Sequence, residues 1–130
     1  MTIFAVTYRY SDDVATRDAL RTEHRDYLRG LADRGLLLVS GPFGPDEAPG
    51  ALLLFRADDK AHVDALVEKD PFTPSGVIAE TDSTEWEPVI GPLLPGFRGD
   101  RQAGVGTPTS DTSSPTSTDA AHTSAGSDRA

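Results

Sequence analysis

The sequence predicts an α+β sandwich, and three observations lead to this prediction. Residues 3–9 alternate in polarity with the period of a β-strand. Two short apolar runs, residues 36–40 and 51–55, are separated by a loop rich in glycine and proline, which favours a hairpin. An amphipathic helical pattern lies on each side of that hairpin, and a last extended segment closes the chain. This order matches a ferredoxin-like βαββαβ sandwich with an antiparallel sheet and both helices on one face.

The first strand is apolar on both of its faces. One face carries Phe4, Val6 and Tyr8, and the other carries Ile3, Ala5 and Thr7. Helices would cover only one side of the sheet, so the other side also needs a cover. This favours a homodimer packed sheet to sheet, although a central strand gives the same pattern.

The first helix is expected to begin at Ser11-Asp12-Asp13, which offers a cap and first-turn carboxylates, and to end before Gly35. We expect this helix to be broken. Thr22 followed by Glu23 can cap a second start, leaving residues 13–20 as a separate turn or short helix.

The second helix is expected to begin at Asp58 or Asp59. Its buried stripe consists of Val63, Leu66 and Val67. Pro71 ends this helix and moves Asp70 out of the helical region of backbone conformation. The final extended segment spans residues 77–89.

Composition divides the 130 residues into two parts. From Gly96 onward the chain is dominated by Gly, Ser, Thr, Pro, Ala and Asp, which cannot bury enough apolar surface to fold. We therefore expect a folded domain over residues 1–95 and a disordered tail over residues 96–130. His122 lies in that tail, and no catalytic role is expected for it.

The charge of the chain excludes some classes of partner. The net charge is −9, and residues 1–90 alone contain 9 basic and 17 acidic residues. An acidic surface repels nucleic acid and anionic lipid, so neither is an expected partner. The first ten residues have the pattern of a strand and no apolar run approaches the ~20 residues of a membrane span, so we expect a cytoplasmic protein.

His24 is the histidine that the helical pattern directs toward the core. On a helical wheel three leucines lie within about 40° of it, namely Leu20, Leu28 and Leu31. A buried imidazole needs a partner, because an unpaired buried polar group costs ~1–3 kcal/mol. Asp70 is the candidate, since the end of the second helix and the start of the first reach the same end of the predicted sheet. Such a pair suits general acid–base catalysis, but a hydrogen-bonded core histidine is the structural alternative.

Other polar residues surround this predicted site. Ser40, at a strand end, is either a hydrogen-bond donor to a substrate or a turn residue. Arg17 and Arg21 lie about 20° and 60° from His24 on a continuous helix. Arg21 is the candidate to hold a carboxylate or phenolate, whereas Arg17 is expected to form surface ion pairs. Tyr27 and Phe72 are expected to be pocket walls or core.

The sequence predicts neither a metal nor a cofactor. It has no cysteine, and one inward-facing histidine without a second ligand is poor grounds for a metal site. His62 reads as solvated surface. There is no phosphate-binding loop and no dinucleotide fingerprint.

Together these residues resemble the YciI-like (YCII-related) family. The matching motifs, which cover about residues 1–92, are Arg21-x-x-His24-x-x-Tyr27-Leu28, Gly35-x-Leu37, Ser40-Gly41-Pro42, Gly50, Asp70-Pro71-Phe72, Gly76-Val77 and Trp86-x-Pro88. The resemblance implies a ferredoxin-like dimer similar to the dimeric α/β-barrel proteins, with a pocket holding a His–Asp dyad, here His24 and Asp70. Some relatives have a proline between the arginine and the histidine, where this chain has Glu23. Most members lack an assigned reaction, and one branch is known as a dehydrochlorinase of a chlorinated hydroxyhydroquinone.

The sequence thus predicts a small-molecule enzyme without a cofactor that carries out an elimination or isomerisation. His24 would be the general acid or base and Asp70 its orienting partner. The expected substrate contacts are Ser40, Arg21, Tyr27 and Phe72. The alternative is a non-catalytic ligand-binding or dimerisation module in which His24 and Asp70 serve only as hydrogen-bond partners of each other.

Overall fold

The computed structural model describes residues 1–99, where the first six elements have the predicted succession of strands and helices and a short helix that was not predicted follows them. They are β1 (Thr2–Tyr10), α1 (Val14–Asp33), β2 (Leu37–Pro42), β3 (Gly50–Ala57), α2 (Lys60–Glu68), β4 (Ile78–Trp86) and α3 (Leu94–Phe97). These residues form an α+β structure with a four-stranded antiparallel open sheet, which confirms the predicted class.

The described residues divide into two units, Met1–Glu87 and a second one that begins at Pro88. The first unit contains the whole sheet with α1 and α2, and the second contains the four-residue helix α3. Most of the predicted disordered tail, residues 100–130, lies outside the described residues. The domain boundary expected after residue 95 therefore stays a prediction.

The strand order is β2-β3-β1-β4, so β1 pairs with β3 on one side and β4 on the other. The side chains of one sheet face form the core together with the inward residues of α1 and α2. The buried members on the sheet include Phe4, Val6, Tyr8, Leu53 and Phe55, and the helices add Leu28, Leu31, Val63, Leu66 and Val67. Tyr8 lies near the end of β1, where this apolar core gives way to polar groups.

α1 is one continuous helix of 20 residues, so the predicted break at Thr22 is wrong. No proline or glycine interrupts residues 14–29, and the Asp13 carboxylate caps the helix by accepting a hydrogen bond from the Thr16 backbone N–H. Gly35, at φ 78°, ends it in the left-handed conformation that favours glycine. The local capping signal at Thr22 does not compete with an uninterrupted helical ladder.

The break was expected because a continuous helix carries His24 ~15 Å from the start of α1. α2 has nine residues, so it rises about 13 Å, less than half the ~30 Å length of α1. Its C-terminal end therefore lies beside the middle of α1, where His24 is.

Gly50 holds the hairpin close to the end of β1. A Cβ at this position would collide with the backbone carbonyl of Tyr8 and press against the ring of Phe43. Only glycine allows this approach, which fixes the backbone of β1 at the residue whose side chain reaches the site described below.

Within residues 1–99, no helix is long and apolar enough to cross a membrane. The expected cytoplasmic location stays a prediction.

Candidate active site

His24 and Asp70 form a buried pair between the middle of α1 and the turn that follows α2. His24 Nδ1 lies 2.8 Å from Asp70 Oδ1 and 3.0 Å from Oδ2. The Asp70 side chain is fully buried, whereas 11% of the His24 side chain is exposed. The pair predicted from the sequence is therefore present, although the two residues are 46 positions apart.

The turn after α2 fixes the direction of the Asp70 carboxylate. The backbone N–H of Phe72 donates a hydrogen bond to Asp70 Oδ1 at 3.0 Å, which makes an Asx turn around Pro71. Pro71 has no N–H that could compete for this carboxylate, and it keeps Asp70 from continuing the helix. The local sequence thus fixes the direction of the carboxylate, and α1 supplies the imidazole that forms a hydrogen bond with it.

Tyr8 makes the third hydrogen bond to this carboxylate. Its hydroxyl donates to Asp70 Oδ2 at 2.9 Å, and both side chains are fully buried or nearly so. The oxygens of Asp70 therefore accept hydrogen bonds from Tyr8, Phe72 and His24. With three donors, both oxygens of this carboxylate have hydrogen-bond partners without contact with water.

Aromatic rings hold the imidazole in place. The Phe72 ring stacks on the His24 ring with 3.9 Å between centroids and 7° between planes. The Tyr10 ring meets Phe72 edge to face at 5.7 Å. With Nδ1 fixed by Asp70 and one ring face covered by Phe72, the imidazole has little freedom to turn.

Two arginines of α1 lie beside this aromatic group. The Arg17 guanidinium lies over the Tyr10 ring, 4.9 Å from its centroid, rather than in the surface ion pair that was expected. Arg21 donates from Nη2 to the exposed Asp18 carboxylate at 2.6 Å. Within residues 1–99, neither Arg17 Nη1 nor Arg21 Nε has a hydrogen-bond partner, and both atoms are buried.

The surroundings disfavour ionisation of the tyrosines. Burial, reinforced by the Asp70 carboxylate, raises the pKa of the Tyr8 hydroxyl far above its ordinary value. Burial, again with Asp70, raises the pKa of Tyr10 to about 12, although arginines of α1 act in the opposite direction. Both hydroxyls are therefore neutral at physiological pH, and Tyr8 stays a hydrogen-bond donor to Asp70.

The chain matches the YCII-related domain over residues 1–87. It belongs to the YCII-related domain family. Among curated proteins, none matches the chain.

A solved structure similar to this YCII-related domain is 5-chloro-2-hydroxyhydroquinone dehydrochlorinase (TftG) from Burkholderia phenoliruptrix AC1100, in complex with 2,5-dihydroxybenzoquinone. The two chains are 27% identical, with a TM-score of 0.57, and the match covers 65% of this chain and 93% of that one. The similarity thus extends over nearly the whole of the dehydrochlorinase.

Two further predicted contacts of the YCII-related domain lie outside the buried pair. Ser40 is exposed on the edge strand β2, two strand spacings, or about 10 Å, from the backbone of β1. Tyr27 donates its hydroxyl to the Leu66 carbonyl at 2.6 Å, which joins α1 to α2. Substrate roles for Ser40, Tyr27, Arg21 and Phe72 stay predictions.

Sequence reasoning missed Tyr8 and Tyr10. Their signal was available in part, because Tyr8 shares the inward face of β1 with Phe4 and Val6. An inward tyrosine needs a partner for its hydroxyl, which is the same argument that singled out His24. Among residues 1–99, no group of three or more His, Asp or Glu side chains is placed to hold a metal ion.

Proposed function

We propose that the protein is a small-molecule enzyme in which His24 exchanges a proton with the substrate and Asp70 orients it. One observation carries this proposal. Nδ1 of His24 is held by a fully buried carboxylate, while part of the imidazole reaches the surface. A ligand can therefore approach an imidazole whose tautomer and orientation are already fixed.

The hydrogen bond to Asp70 assigns a role to each ring nitrogen. Nδ1 carries the proton that Asp70 accepts, so Nε2 is the nitrogen that can take a proton or, once protonated, give one. Phe72 acts as a positioning residue, since its ring fixes the plane of the imidazole. Tyr8 acts in the same way through Asp70, whose second oxygen it holds.

The similarity to a dehydrochlorinase supports elimination as the reaction class. Loss of HCl from a chlorinated hydroxyhydroquinone requires one proton delivered to the chlorine-bearing carbon and two hydroxyl protons removed. The electron pair of the first O–H bond becomes a carbonyl bond as the ring takes up the proton at carbon; the electron pair of the second O–H bond becomes another carbonyl bond, a ring double bond shifts, and chloride leaves with the C–Cl electrons. The product is a quinone and no oxidant or reductant is needed, so one imidazole that acts in turn as base, acid and base can serve all three proton transfers.

The non-catalytic alternative also has an observation in its favour. The three hydrogen bonds to Asp70 satisfy the carboxylate completely, which a purely structural core pair would also require. In that case the chain would bind a ligand or a second copy without turning anything over.

Turnover measurements distinguish the enzyme from the non-catalytic binding module. The wild-type protein is incubated with 5-chloro-2-hydroxyhydroquinone and related chlorinated hydroquinones, and chloride release is measured. We expect His24→Ala and Asp70→Asn to lower the rate by about 10²–10⁴-fold. His62→Gln is the matched control, since His62 lies at the start of α2 and contacts the backbone of Asp58 instead of the site.

Circular dichroism establishes that each variant is folded. No chloride release from any compound by the wild type, with binding retained in all variants, would contradict the proposed chemistry and favour a binding module. Equal rates in the wild type and His24→Ala would contradict the role of His24.

We also propose that the antiparallel sheet has ferredoxin-like topology and forms a homodimer through the face turned away from α1 and α2. The exposed apolar side chains Val39 and Leu52 are on this face. Light scattering should give the mass of a dimer for the wild type and of a monomer for Leu52→Glu, and a monomeric wild type would contradict this proposal. The absence of nucleic-acid and membrane partners stays a prediction.

A further inference from the structure

One stripe of α1 changes character along its length. The positions Arg17, Arg21, His24, Leu28 and Leu31 follow the i, i+4, i+7 spacing that places side chains on one helix face. The C-terminal half of this stripe is buried core, and the N-terminal half is cationic. The ion pair of Arg21 with Asp18 and the contact of Arg17 with Tyr10 engage only part of each guanidinium group.

The two arginines are incompletely satisfied. Arg17 Nη1 and Arg21 Nε are buried N–H donors, and neither has a hydrogen-bond partner among residues 1–99. An unpaired buried donor is unfavourable, and more so when it belongs to a charged group. The hydrogen bond to Asp18 uses Nη2 of Arg21 and leaves Nε without a partner among these residues. Both side chains therefore retain hydrogen-bonding capacity for an acceptor from outside the chain.

Contacts connect these arginines to the proton-transferring residue. The Arg17 guanidinium stacks on Tyr10, Tyr10 meets Phe72, and Phe72 stacks on His24. Arg21 lies one helical turn before His24 on the same face. A ligand oxygen held by the arginines would therefore leave the rest of a small molecule against the imidazole.

We propose that Arg17 and Arg21 bind the oxyanion of a small planar substrate and hold its ring beside His24. The ligand class is a ring that carries a delocalised oxyanion, either a carboxylate or an ionised hydroxyl conjugated with the ring. Planar guanidinium groups match such oxygens in charge and geometry. The rest of the fold is acidic, so this cationic region also selects where an anion approaches. This inference rests on the proposed function for the role of His24, but the binding itself does not require turnover.

Equilibrium binding tests the inference with two matched probes. The hydroxyls of 2,5-dihydroxybenzoquinone are conjugated with carbonyls and ionise readily, whereas 2,5-dimethoxybenzoquinone has a similar shape and no acidic proton. Calorimetry should show binding of the dihydroxy compound and at least tenfold weaker binding of the dimethoxy compound. Arg17→Met and Arg21→Met should each weaken binding of the dihydroxy compound by about tenfold to hundredfold.

Arg29→Met is the matched control on the same helix. Arg29 is exposed and pairs with Asp26, so its replacement should leave binding unchanged. Failure of the wild type to bind the dihydroxy compound, equal affinity for both probes, or unchanged affinity in Arg17→Met would each overturn the inference.

A measurement without ligand separates a binding role from a structural one. Met keeps the apolar stem of the side chain and removes the unsatisfied donor, so Arg17→Met should leave Tm unchanged or raise it by up to about 4 °C. A clear fall in Tm would show that the guanidinium stabilises the fold through Tyr10, and would overturn its role as an anion ligand. Absence of chloride release with the expected binding pattern would contradict the proposed reaction and leave the anion site supported.

Discussion

Replacement of Asp70 by asparagine tests whether the carboxylate holds this part of the fold together as a charged group. Three donors, the Tyr8 hydroxyl, the Phe72 N–H and His24 Nδ1, converge on two oxygens that have no contact with solvent. Asparagine has almost the same shape, so it removes the charge and one acceptor without opening a cavity.

The size of the effect follows from these contacts. A hydrogen bond to a charged group contributes about 1.5–3 kcal/mol, and a neutral one about 0.5–1.5 kcal/mol. The bonds to the remaining oxygen each weaken by about 1 kcal/mol, and a bond to the oxygen that becomes an amide nitrogen is lost, so Asp70→Asn should lower the free energy of unfolding by about 3–5 kcal/mol. For a domain of this size, that is a large fraction of the total stability.

Urea denaturation at neutral pH measures the change. Asp64→Asn is the matched control, since Asp64 is exposed on α2 and its replacement should change the free energy of unfolding by less than about 0.5 kcal/mol. A loss below about 1 kcal/mol for Asp70→Asn, similar to the control, would refute the reasoning. It would mean that the buried pair does not depend on a charged acceptor.

Three further predictions concern the fold around the site. Gly50→Ala should destabilise the protein by about 1–3 kcal/mol, because the new methyl group meets the backbone of β1. Gly30→Ala should instead stabilise it by about 0.5–1 kcal/mol, because this position in α1 has open space around it. Chemical denaturation measures both changes. Glu23→Pro should cost about 3 kcal/mol if α1 is continuous, and a loss near zero would restore the predicted break. Burial raises the pKa of all three tyrosines, that of Tyr10 to about 12, so ultraviolet titration of the native protein near pH 10 should show less tyrosine ionisation than titration of the unfolded chain. An unfolded tyrosine ionises near pH ~10, so above that pH the unfolded chain binds fewer protons than the folded chain. The free energy of unfolding should therefore fall as the pH rises further. Tyrosines that titrate normally in the folded protein would contradict this prediction.

Much of the candidate site could be predicted from local patterns. Helical periodicity placed His24 on the inward face of α1, and the structure confirms that orientation. Pro71 identified Asp70 as a residue at a helix end whose side chain is directed by its own turn. The inward-facing imidazole of His24 and carboxylate of Asp70 were therefore expected to form a hydrogen bond with each other, because burial of either group without a partner is unfavourable.

The same local patterns failed to predict the continuity of α1 and the surroundings of Arg17. A capping signal at Thr22 indicated a break, yet the helix continues, since capping contributes less than an uninterrupted ladder of hydrogen bonds. Arg17 looked like a surface residue because periodicity gives an angle around the helix and says nothing about which neighbour approaches it. In the structure the neighbour is the ring of Tyr10.

The sequence by itself determined the class of fold, the order of its elements and which side chains point inward, since these depend on periods of two and 3.6 residues. The tertiary structure alone decided that nine residues of α2 bring Asp70 beside the middle of α1, and that Tyr8 completes its set of donors. The reason is physical. Side-chain direction is a local property of the backbone, whereas a contact across 46 residues depends on how far each element rises before it packs against the next.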